Sequence, residues 1–509
     1  MNRERAGSPA LRTSDFLAAA LAALAIFVTW ARVPAFTTDS EAYLDVARNV
    51  LAGEGLVQRI VDYWRPSAPD PLGLWPPLYP LVVAGFGLTG VPLELAARIV
   101  SALAFGAFAI ALGRLAHRAL PPPLALAALF LGVLSPAVAG LSTRAWSEPL
   151  YLALLTPALL LFARLLERES GATSARSSGP WTAFFAGLLL GGAGLARYVS
   201  VPAVALGVVA LLVARARGRR VVLFVVGALL PVVPWLVHNL VHFKAPFGPG
   251  VAAGETGAGA AARALVSALR WEFLPGPLAA LTPAASLALL AAGFALVVAF
   301  ARGPSPAVRV SAAYALLHVA LMALSVQFYG INDLFGRYLA PALPFFWIAG
   351  LGGCAVLFGG LRSGTHSTLS ASVAGGALVA FVLFDGARFL RAHPIPPPAS
   401  EARVAEHAEL RALVRAANVE GPVLTDAGHA LRSATGLTAI EVPPPRFRVR
   451  PLERADLERW HAGGMRFALF AREATAAEAD TVLRERLVGP LAWPRADSTT
   501  HFVLYRAVP

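Results

Sequence analysis

Long uncharged apolar runs recur between residues 16 and 389, and they constrain this chain more than any other feature. A membrane-crossing helix needs roughly 20 such residues. With 14% charged residues and a mean hydropathy of +0.63, the chain is too apolar for a soluble globular protein. We count about eleven candidate spans: 16–32, 95–115, 122–140, 149–166, 181–196, 199–214, 221–241, 283–301, 310–328, 339–361 and 369–389. The sequence therefore predicts a polytopic α-helical membrane protein.

One further apolar run, residues 78–90, is short for a span and decides the topology of everything after it. If it does not cross, the basic N-terminus and the later arginine-rich loops all lie on one side, which the positive-inside rule assigns to the cytoplasm. We therefore interpret residues 78–90 as a surface-lying or re-entrant helix on the outer face. The net charge of +13 is then a topology signal, and we expect no nucleic-acid partner.

An acidic amphipathic segment, residues 33–55, follows the first apolar run at once. Thr38 and Glu41 have the spacing of a capping box, which predicts a helix that starts at Asp39 with Thr38 as its N-cap. The apolar residues after them recur at helical spacing, so the helix should lie on the membrane surface and hold Asp39 at the lipid–water boundary. A carboxylate at that depth can act on a lipid head group, although Asp39 also suits the helix dipole alone.

Other polar residues collect on the same outer face in this topology. A membrane enzyme that works on a hydroxyl needs a carboxylate to accept a proton and cations to hold a phosphate leaving group. Charges at membrane depth usually face a polar cavity. Glu148 has a structural alternative, since it could simply pair with Arg144 four residues before it. The candidates beside Asp39 are Glu148, Arg65, Trp75, Arg144, Arg197, Tyr198, Arg337 and Tyr338.

The composition becomes that of an ordinary soluble protein after the run PIPPP that follows His393. Short apolar strands there alternate with helical segments, which predicts a small α/β domain. We divide the chain into a membrane domain, residues 1–394, and an α/β domain, residues 395–509. An odd number of spans places this second domain on the outer, extracytoplasmic side.

The order of several segments resembles a family of enzymes. These segments are TTDSEAYLDVARNVLAGEG, WPPLYPLVVAGFGLTG, LSTRAWSEPLYLALL and GRYLAPALP. Together they resemble the membrane glycosyltransferases of the GT-C fold, and most closely the family 39-like and RgtA/B/C/D-like enzymes. Those enzymes are related to protein O-mannosyltransferases and to the lipid A aminoarabinose transferase. The resemblance covers most of residues 14–360.

The resemblance implies a reaction and a place for it. A sugar carried on a polyprenyl phosphate would be transferred, with inversion, to a lipid, glycan or protein hydroxyl on the outer face of a bacterial inner membrane. Asp39 matches the family's presumed general base, and Glu148 matches an acidic position at the start of a later span. Where many relatives have Lys-Pro, this chain has Trp75-Pro76-Pro77, so the phosphate contact would either pass to Arg65, Arg144, Arg197 or Arg337 or be weakened. A divalent cation, Mg²⁺ or Mn²⁺, held by Asp39 and Glu148 stays open.

Two alternatives handle similar substrates. A transporter or lipid flippase would also be polytopic, but transporters tend to contain internal repeats, and the later half has no second copy of the Asp39 or Trp75 segments. A glycan polymerase or ligase would share the lipid-linked substrate, and the sequence does not separate it from a glycosyltransferase.

The topology gives the first test. In a Cys354→Ser background, a cysteine at Gly218 should react with a membrane-impermeant thiol reagent only after the cytoplasmic side is opened, because the adjoining arginines belong on that side. Labelling of this cysteine by the reagent in intact cells would contradict the predicted topology.

Overall fold

The computed structural model describes residues 13–30, 32, 36–62, 69–73, 75–169, 181–248, 282–329, 335–359, 399–442, 454–471, 495–499 and 502–506, with isolated residues between 263 and 270 and at 376. The first domain contains helices α1 (Thr13–Trp30), α2 (Thr38–Leu51), α3 (Leu78–Gly87), α4 (Leu93–Ala119), α5 (Pro122–Leu134), α6 (Pro136–Ala139), α7 (Glu148–Glu169), α8 (Trp181–Ala196), α9 (Val201–Val213), α10 (Gly218–Phe243), α11 (Thr282–Arg302), α12 (Pro306–Tyr329), α13 (Phe335–Leu339) and α14 (Leu343–Gly359). Three short strands, β1 (Val57–Gln58), β2 (Ile60–Asp62) and β3 (Asp70–Pro71), lie between α2 and α3.

The C-terminal part adds three helices and five strands. These are α15 (Ala399–Ala416), β4 (Val423–Thr425), α16 (Gly428–Thr435), β5 (Ala439–Glu441), α17 (Arg454–Ala462), β6 (Phe467–Ala471), β7 (Arg495–Ser498) and β8 (Phe502–Arg506).

Six helical segments in the described part of the chain are long and apolar enough to cross a membrane. They comprise α1, α4, α7, α10, α12 and the segment Arg337–Leu357, which joins α13 to α14. Shorter apolar helices occupy four other predicted spans, and the span predicted at 122–140 is divided at Ser135 between α5 and α6. The span predicted at 369–389 lies outside the described residues. The predicted polytopic helical membrane protein is confirmed, while the count of eleven stays a prediction.

Glycines let α8 and α10 approach closely. A Cβ added at Gly187 would lie 2.0 Å from the Phe224 carbonyl oxygen, and one at Gly227 would lie 2.2 Å from the Phe184 carbonyl oxygen. Small residues four positions apart, such as Gly187 and Gly191, are the usual device for close helix packing in membranes. The backbones of α8 and α10 therefore meet directly, and α8 ends beside the polar residues described below.

The cap of α2 differs from the prediction by one residue. The N-cap is Thr37, whose backbone N–H donates to Ser40 Oγ at 3.1 Å. The predicted box of Thr38 and Glu41 was wrong, because the preceding threonine and Ser40 satisfy the same backbone groups one position earlier. Tyr43 and Ala47 of the predicted apolar face are buried against Tyr79 and Val83 of α3, and Asp45 on another side of the helix is buried as well. Protein thus encloses α2 over residues 40–47, and the expectation that this helix lies on the membrane surface was wrong.

The C-terminal domain is built on a six-stranded sheet of order β2-β5-β4-β6-β8-β7. Within this order β2, β5, β4 and β6 are parallel to their neighbours, whereas β8 is antiparallel to both β6 and β7. Two apolar clusters lie on the sheet, one containing Leu410 of α15 and the other Trp460 of α17. The small α/β domain is confirmed. Its edge strand β2 comes from residues 60–62, so the sheet crosses the predicted boundary at 394/395, which itself stays a prediction.

The α8–α10 contact predicts that two glycines of α8 differ in how much their replacement by alanine destabilises the protein. Gly187→Ala should lower the free energy of unfolding by about 1–3 kcal/mol, because the new methyl group meets backbone that cannot move aside. Gly192→Ala is the matched control, since its Cβ would make only ordinary contact at 3.6 Å with Leu154. Thermal unfolding in detergent measures both variants. Equal melting temperatures would show that the helices do not depend on this approach.

Candidate active site

A fully buried carboxylate, that of Glu148, lies at the centre of the polar residues. It opens α7, and its side chain is 0% exposed. Glu148 Oε1 lies 2.8 Å from Arg197 Nη1 and also accepts a hydrogen bond from Arg337 Nε. Buried charges need partners of this kind. Through these ion pairs Glu148 links the start of α7 to the turn after α8, which carries Arg197, and to the short helix α13, which carries Arg337.

Arg337 joins the two candidate carboxylates. Its Nη1 atom lies 2.5 Å from Asp39 Oδ2 at the start of α2, while its Nε atom donates to Glu148. The Arg337 side chain is 9% exposed and that of Asp39 is 23% exposed. Asp39 is thus the carboxylate of the two that a substrate can reach.

Trp146 forms an aromatic wall beside these charges. The Arg337 guanidinium carbon lies 3.7 Å from the centre of the indole ring, and that of Arg144 lies 4.3 Å from it. Tryptophan is the strongest aromatic partner for a cation. The indole Nε1 donates to Thr37 Oγ1 at 2.8 Å, so the same ring holds the N-cap of the helix that bears Asp39.

Hydroxyl groups line the inner side of the site. The Tyr43 hydroxyl lies 3.1 Å from Ser147 Oγ, which also accepts a hydrogen bond from Arg197 Nη1 at 3.4 Å. Burial is the main cause that raises the pKa of Tyr43, and the nearby charge of Asp39 raises it further. Tyr43 is therefore a neutral phenol at physiological pH.

A deeper polar chain supports the segment that carries Arg337. The hydroxyls of Tyr151 and Tyr314 lie 2.7 Å apart, and the Tyr314 hydroxyl lies 2.9 Å from His318 Nδ1. His318 Nε2 in turn lies 2.6 Å from the backbone oxygen of Tyr338. This chain connects α7 and α12 to the residue after Arg337, and it holds that backbone in place.

Guanidinium groups outnumber carboxylates in the site. Arg144, Arg197 and Arg337 face Asp39 and Glu148, which leaves one positive charge in excess. Among the described residues, Arg144 has no carboxylate partner, and burial is the main cause that lowers its pKa. Burial is also the largest single influence on Arg197 and lowers its pKa, but Glu148 together with Tyr43 and Tyr338 outweighs it, so the pKa of Arg197 is raised and the group stays a cation.

Three buried polar atoms of the site have no hydrogen-bond partner in the described part of the protein. They are Glu148 Oε2, Arg337 Nη2 and Arg144 Nε. Two of the three are donors on cations. Since buried donors are costly to leave unpaired, the excess charge and these donors together suit an anionic ligand.

The structure brings together six of the predicted site residues: Asp39, Arg144, Glu148, Arg197, Arg337 and Tyr338. The structural alternative for Glu148, an ion pair with Arg144, is absent among the described contacts, because Arg197 and Arg337 hold the carboxylate instead. Arg197 lies over the Tyr338 ring at 5.2 Å. Arg65 lies outside the described residues.

The remaining two predicted residues lie beside the site. Trp75 packs edge-on to Tyr43 at 6.2 Å between ring centres. Tyr198 turns away from the charges: its hydroxyl accepts from Trp235 Nε1 at 2.8 Å and donates to the Gly73 oxygen at 3.3 Å. Both residues therefore support the loop before α3.

Several residues of the site escaped the sequence analysis. Trp146, Ser147 and Tyr43 were treated as parts of apolar or loop segments, and Tyr314 with His318 as part of a span. The signal for the last pair was their spacing of four residues inside an apolar helix, which puts two polar groups on one face. Trp146 carries no such signal, because its role depends on arginines that are distant in sequence.

Asp39 and Glu148 do not suit a divalent cation as they are arranged. A shared metal ion needs oxygen ligands that converge on one point, whereas the Arg337 guanidinium lies between these two carboxylates. The described residues also contain no group of three or more His, Cys, Asp or Glu side chains placed to hold a metal. We derive no step through a metal, and the cation stays a prediction.

Solved structures share this architecture, while no protein-family model and no curated protein sequence matches the chain. ArnT from Cupriavidus metallidurans in the apo state matches at 16% identity over 97% of each chain, with a TM-score of 0.57. Its structure bound to undecaprenyl phosphate matches at 15% identity over 97% of this chain and 98% of that one, with a TM-score of 0.58.

Two larger enzymes match as well. The Archaeoglobus fulgidus oligosaccharyltransferase, in a complex with Zn and sulfate, matches at 12% identity over 90% of this chain and 68% of its own, with a TM-score of 0.54. The mycobacterial arabinofuranosyltransferase AftD matches at 16% identity over 98% of this chain and 42% of its own, with a TM-score of 0.55. All of these are glycosyltransferases of the GT-C fold. This chain therefore has the GT-C fold.

Removal of the buried negative charge of Glu148 should have a large effect on stability. Glu148→Gln should cost about 3–5 kcal/mol of unfolding free energy, because it leaves Arg197 and Arg337 without their shared counter-charge. Glu54→Gln is the control, since it breaks an exposed pair with Arg59 and should cost about 1 kcal/mol or less. Denaturation of both purified variants checks this. A Glu148→Gln protein as stable as the control would contradict the central role of this carboxylate.

Proposed function

We propose that the protein is an integral membrane glycosyltransferase that transfers a sugar from a polyprenyl-phosphate donor to an acceptor hydroxyl. The observation that carries this proposal is the arrangement around Arg337: a reachable carboxylate lies next to an excess of partly unpaired guanidinium groups. Such a site has a base for a hydroxyl on one side and cations for a phosphate on the other.

Asp39 is the proposed catalytic base. It takes the proton of the acceptor hydroxyl while that oxygen attacks the anomeric carbon. The bond from this carbon to the phosphate oxygen breaks, and its electron pair leaves with the polyprenyl phosphate. Attack opposite the leaving group inverts the anomeric carbon. Glu148 is fully buried and two arginines hold its Oε1 atom, so we assign it a positioning role rather than contact with the acceptor.

Arg144 and Arg337 are the proposed phosphate contacts. Each has an unpaired buried N–H, and both guanidinium groups lie on the same indole ring of Trp146. The phosphate of a glycosyl donor carries one negative charge, which matches the excess of one guanidinium group. The leaving phosphate gains charge as the sugar departs, and fixed cations stabilise it most at that point. Arg65 stays a predicted contact.

The comparisons support the donor class. One ArnT structure holds undecaprenyl phosphate, and one A. fulgidus oligosaccharyltransferase structure, at a TM-score of 0.51, holds a dolichol-phosphate with an inhibitory peptide. We further propose that the protein lies in a bacterial inner membrane, with its N-terminus in the cytoplasm and its C-terminal domain outside, as the arginine-rich loops predict. The acceptor is a lipid, glycan or protein hydroxyl presented at that face.

Replacement of Asp39 tests the base. Asp39→Asn should lower the transfer rate by about 10²- to 10⁴-fold, because asparagine cannot accept the proton. Transfer of labelled sugar from a polyprenyl-phosphate donor by purified protein measures it. Glu94→Gln is the matched control, since it removes a nearby exposed acidic group that pairs with Arg48 of the same helix α2. Near-normal transfer by folded Asp39→Asn would end this mechanism, and lipid movement without transfer would favour a flippase.

Replacement of Arg144 tests the phosphate contact. Arg144→Gln should raise the KM for the lipid-linked donor about tenfold or more, because a charge-assisted hydrogen bond is lost. Arg98→Gln is the control: Arg98 also stacks on a tryptophan, Trp30 at 3.7 Å, and among the described residues its contacts are to Trp30 rather than to Asp39, Glu148 or Trp146. An unchanged donor KM in Arg144→Gln, or an equal rise in both variants, would contradict the assignment.

A further inference from the structure

A second buried carboxylate, that of Asp45, lies on α2 six residues after Asp39. Its side chain is 0% exposed. Asp45 Oδ2 accepts hydrogen bonds from the backbone N–H groups of Arg59 at 2.6 Å and Ile60 at 3.1 Å. Its other oxygen, Oδ1, accepts one from Arg432 Nε at 2.8 Å. Arg432 belongs to α16 of the C-terminal domain, 387 residues later in the chain.

Arg432 binds two successive turns of α2. Besides Asp45, its Nη2 atom donates to Asn49 Oδ1 at 3.1 Å, and its Nη1 atom donates to the Gly436 oxygen at the end of its own helix. Asp45 and Asn49 are four residues apart and therefore lie on one face of the helix. The planar guanidinium has the donors for all three oxygens at once, whereas a lysine ammonium does not have this fork.

The contact continues into the sheet of the C-terminal domain. Ile60, whose N–H donates to Asp45, is the first residue of β2 and pairs with Ala439 of β5. Asn49 Nδ2 donates to the Val57 oxygen just before β2. Helix α2, strand β2 and helix α16 are thus joined by buried and partly buried hydrogen bonds, and the C-terminal domain holds the far half of the helix that bears Asp39.

We propose that Arg432 is a positioning residue for the reaction, which holds α2 so that Asp39 stays beside Arg337; this inference rests on the proposed function. A helix of 14 residues is marginal alone and takes its place from its contacts. Its first turn is held by Trp146 and Arg337, and its last turns by Arg432. Asp45 lies only about 9 Å along the helix from Asp39.

A loss of Arg432 should therefore act on turnover more than on donor binding. A misplacement of about 1 Å at a reacting group can cost on the order of 100-fold in rate. The proposed phosphate contacts, Arg144 and Arg337, lie outside α2 and stay in place. We expect Arg432→Met to lower kcat about 10- to 100-fold while the donor KM changes less than about twofold.

The test separates positioning from simple loss of stability. Arg432→Met leaves Asp45 buried and uncompensated, so the double variant Asp45→Asn/Arg432→Met should recover thermal stability while kcat stays low. Arg432→Lys should recover only part of the kcat that is lost in Arg432→Met.

Arg459→Met is the matched control: it breaks an ion pair with Asp456, at 3.0 Å, that lies wholly within the C-terminal domain, and it should leave kcat unchanged. Recovery of kcat together with stability, or wild-type kcat in Arg432→Met, would overturn the proposal.

Hydrogen exchange of the α2 amides gives a measurement that does not depend on activity. Exchange across residues 43–51 should rise in Arg432→Met and in the double variant, but not in Arg459→Met. Unchanged exchange in Arg432→Met would overturn the positioning role even if the rate fell. Absence of sugar transfer by the wild-type protein, with the exchange effect present, would instead overturn the proposed function.

Discussion

A carboxylate with no access to water, that of Glu148, is the constraint on which the site depends. An ionised group at such a place is stable only with close counter-charges, and the chain supplies two, Arg197 and Arg337. These arginines come from the turn after α8 and from α13. One buried charge therefore fixes the relative positions of three segments that are far apart in sequence, and Arg337 extends the arrangement to Asp39.

The surroundings make this arrangement rigid. Trp146 stacks on the Arg337 guanidinium and donates a hydrogen bond to Thr37, the N-cap of α2, while the hydrogen-bonded chain from Tyr151 to His318 holds the Tyr338 backbone. Charges in a site of low dielectric interact more strongly than in water. A rigid, partly unpaired set of cations is the kind of preorganised environment that stabilises a leaving phosphate without further rearrangement. The C-terminal domain contributes through Asp45, since Arg432 and β2 hold the other end of α2.

The sequence predicted what hydrophobic pattern and local spacing determine. Apolar runs located the membrane helices, because a bilayer demands length and uniform composition. The apolar face of α2 followed from its period. The N-cap of α2 was predicted one residue too late because residues 37 and 38 are both threonine, and only the backbone geometry distinguishes them. The sequence did not predict ion pairs between residues that are distant in the chain. Local spacing suggested Arg144 as the partner of Glu148, whereas the fold places Arg197 and Arg337 beside it. Strand β2 was missed because three residues give no pattern, and its partner lies in another domain.

The proposed roles of Arg144, Arg337 and Asp39 are tested most directly by an electron cryo-microscopy structure of the protein with undecaprenyl phosphate bound. The phosphate oxygens should contact the guanidinium groups of Arg144 and Arg337, in front of Trp146, and Asp39 should keep an open path to an acceptor hydroxyl. A phosphate bound away from both arginines, or one that covers Asp39 and blocks that path, would contradict these roles.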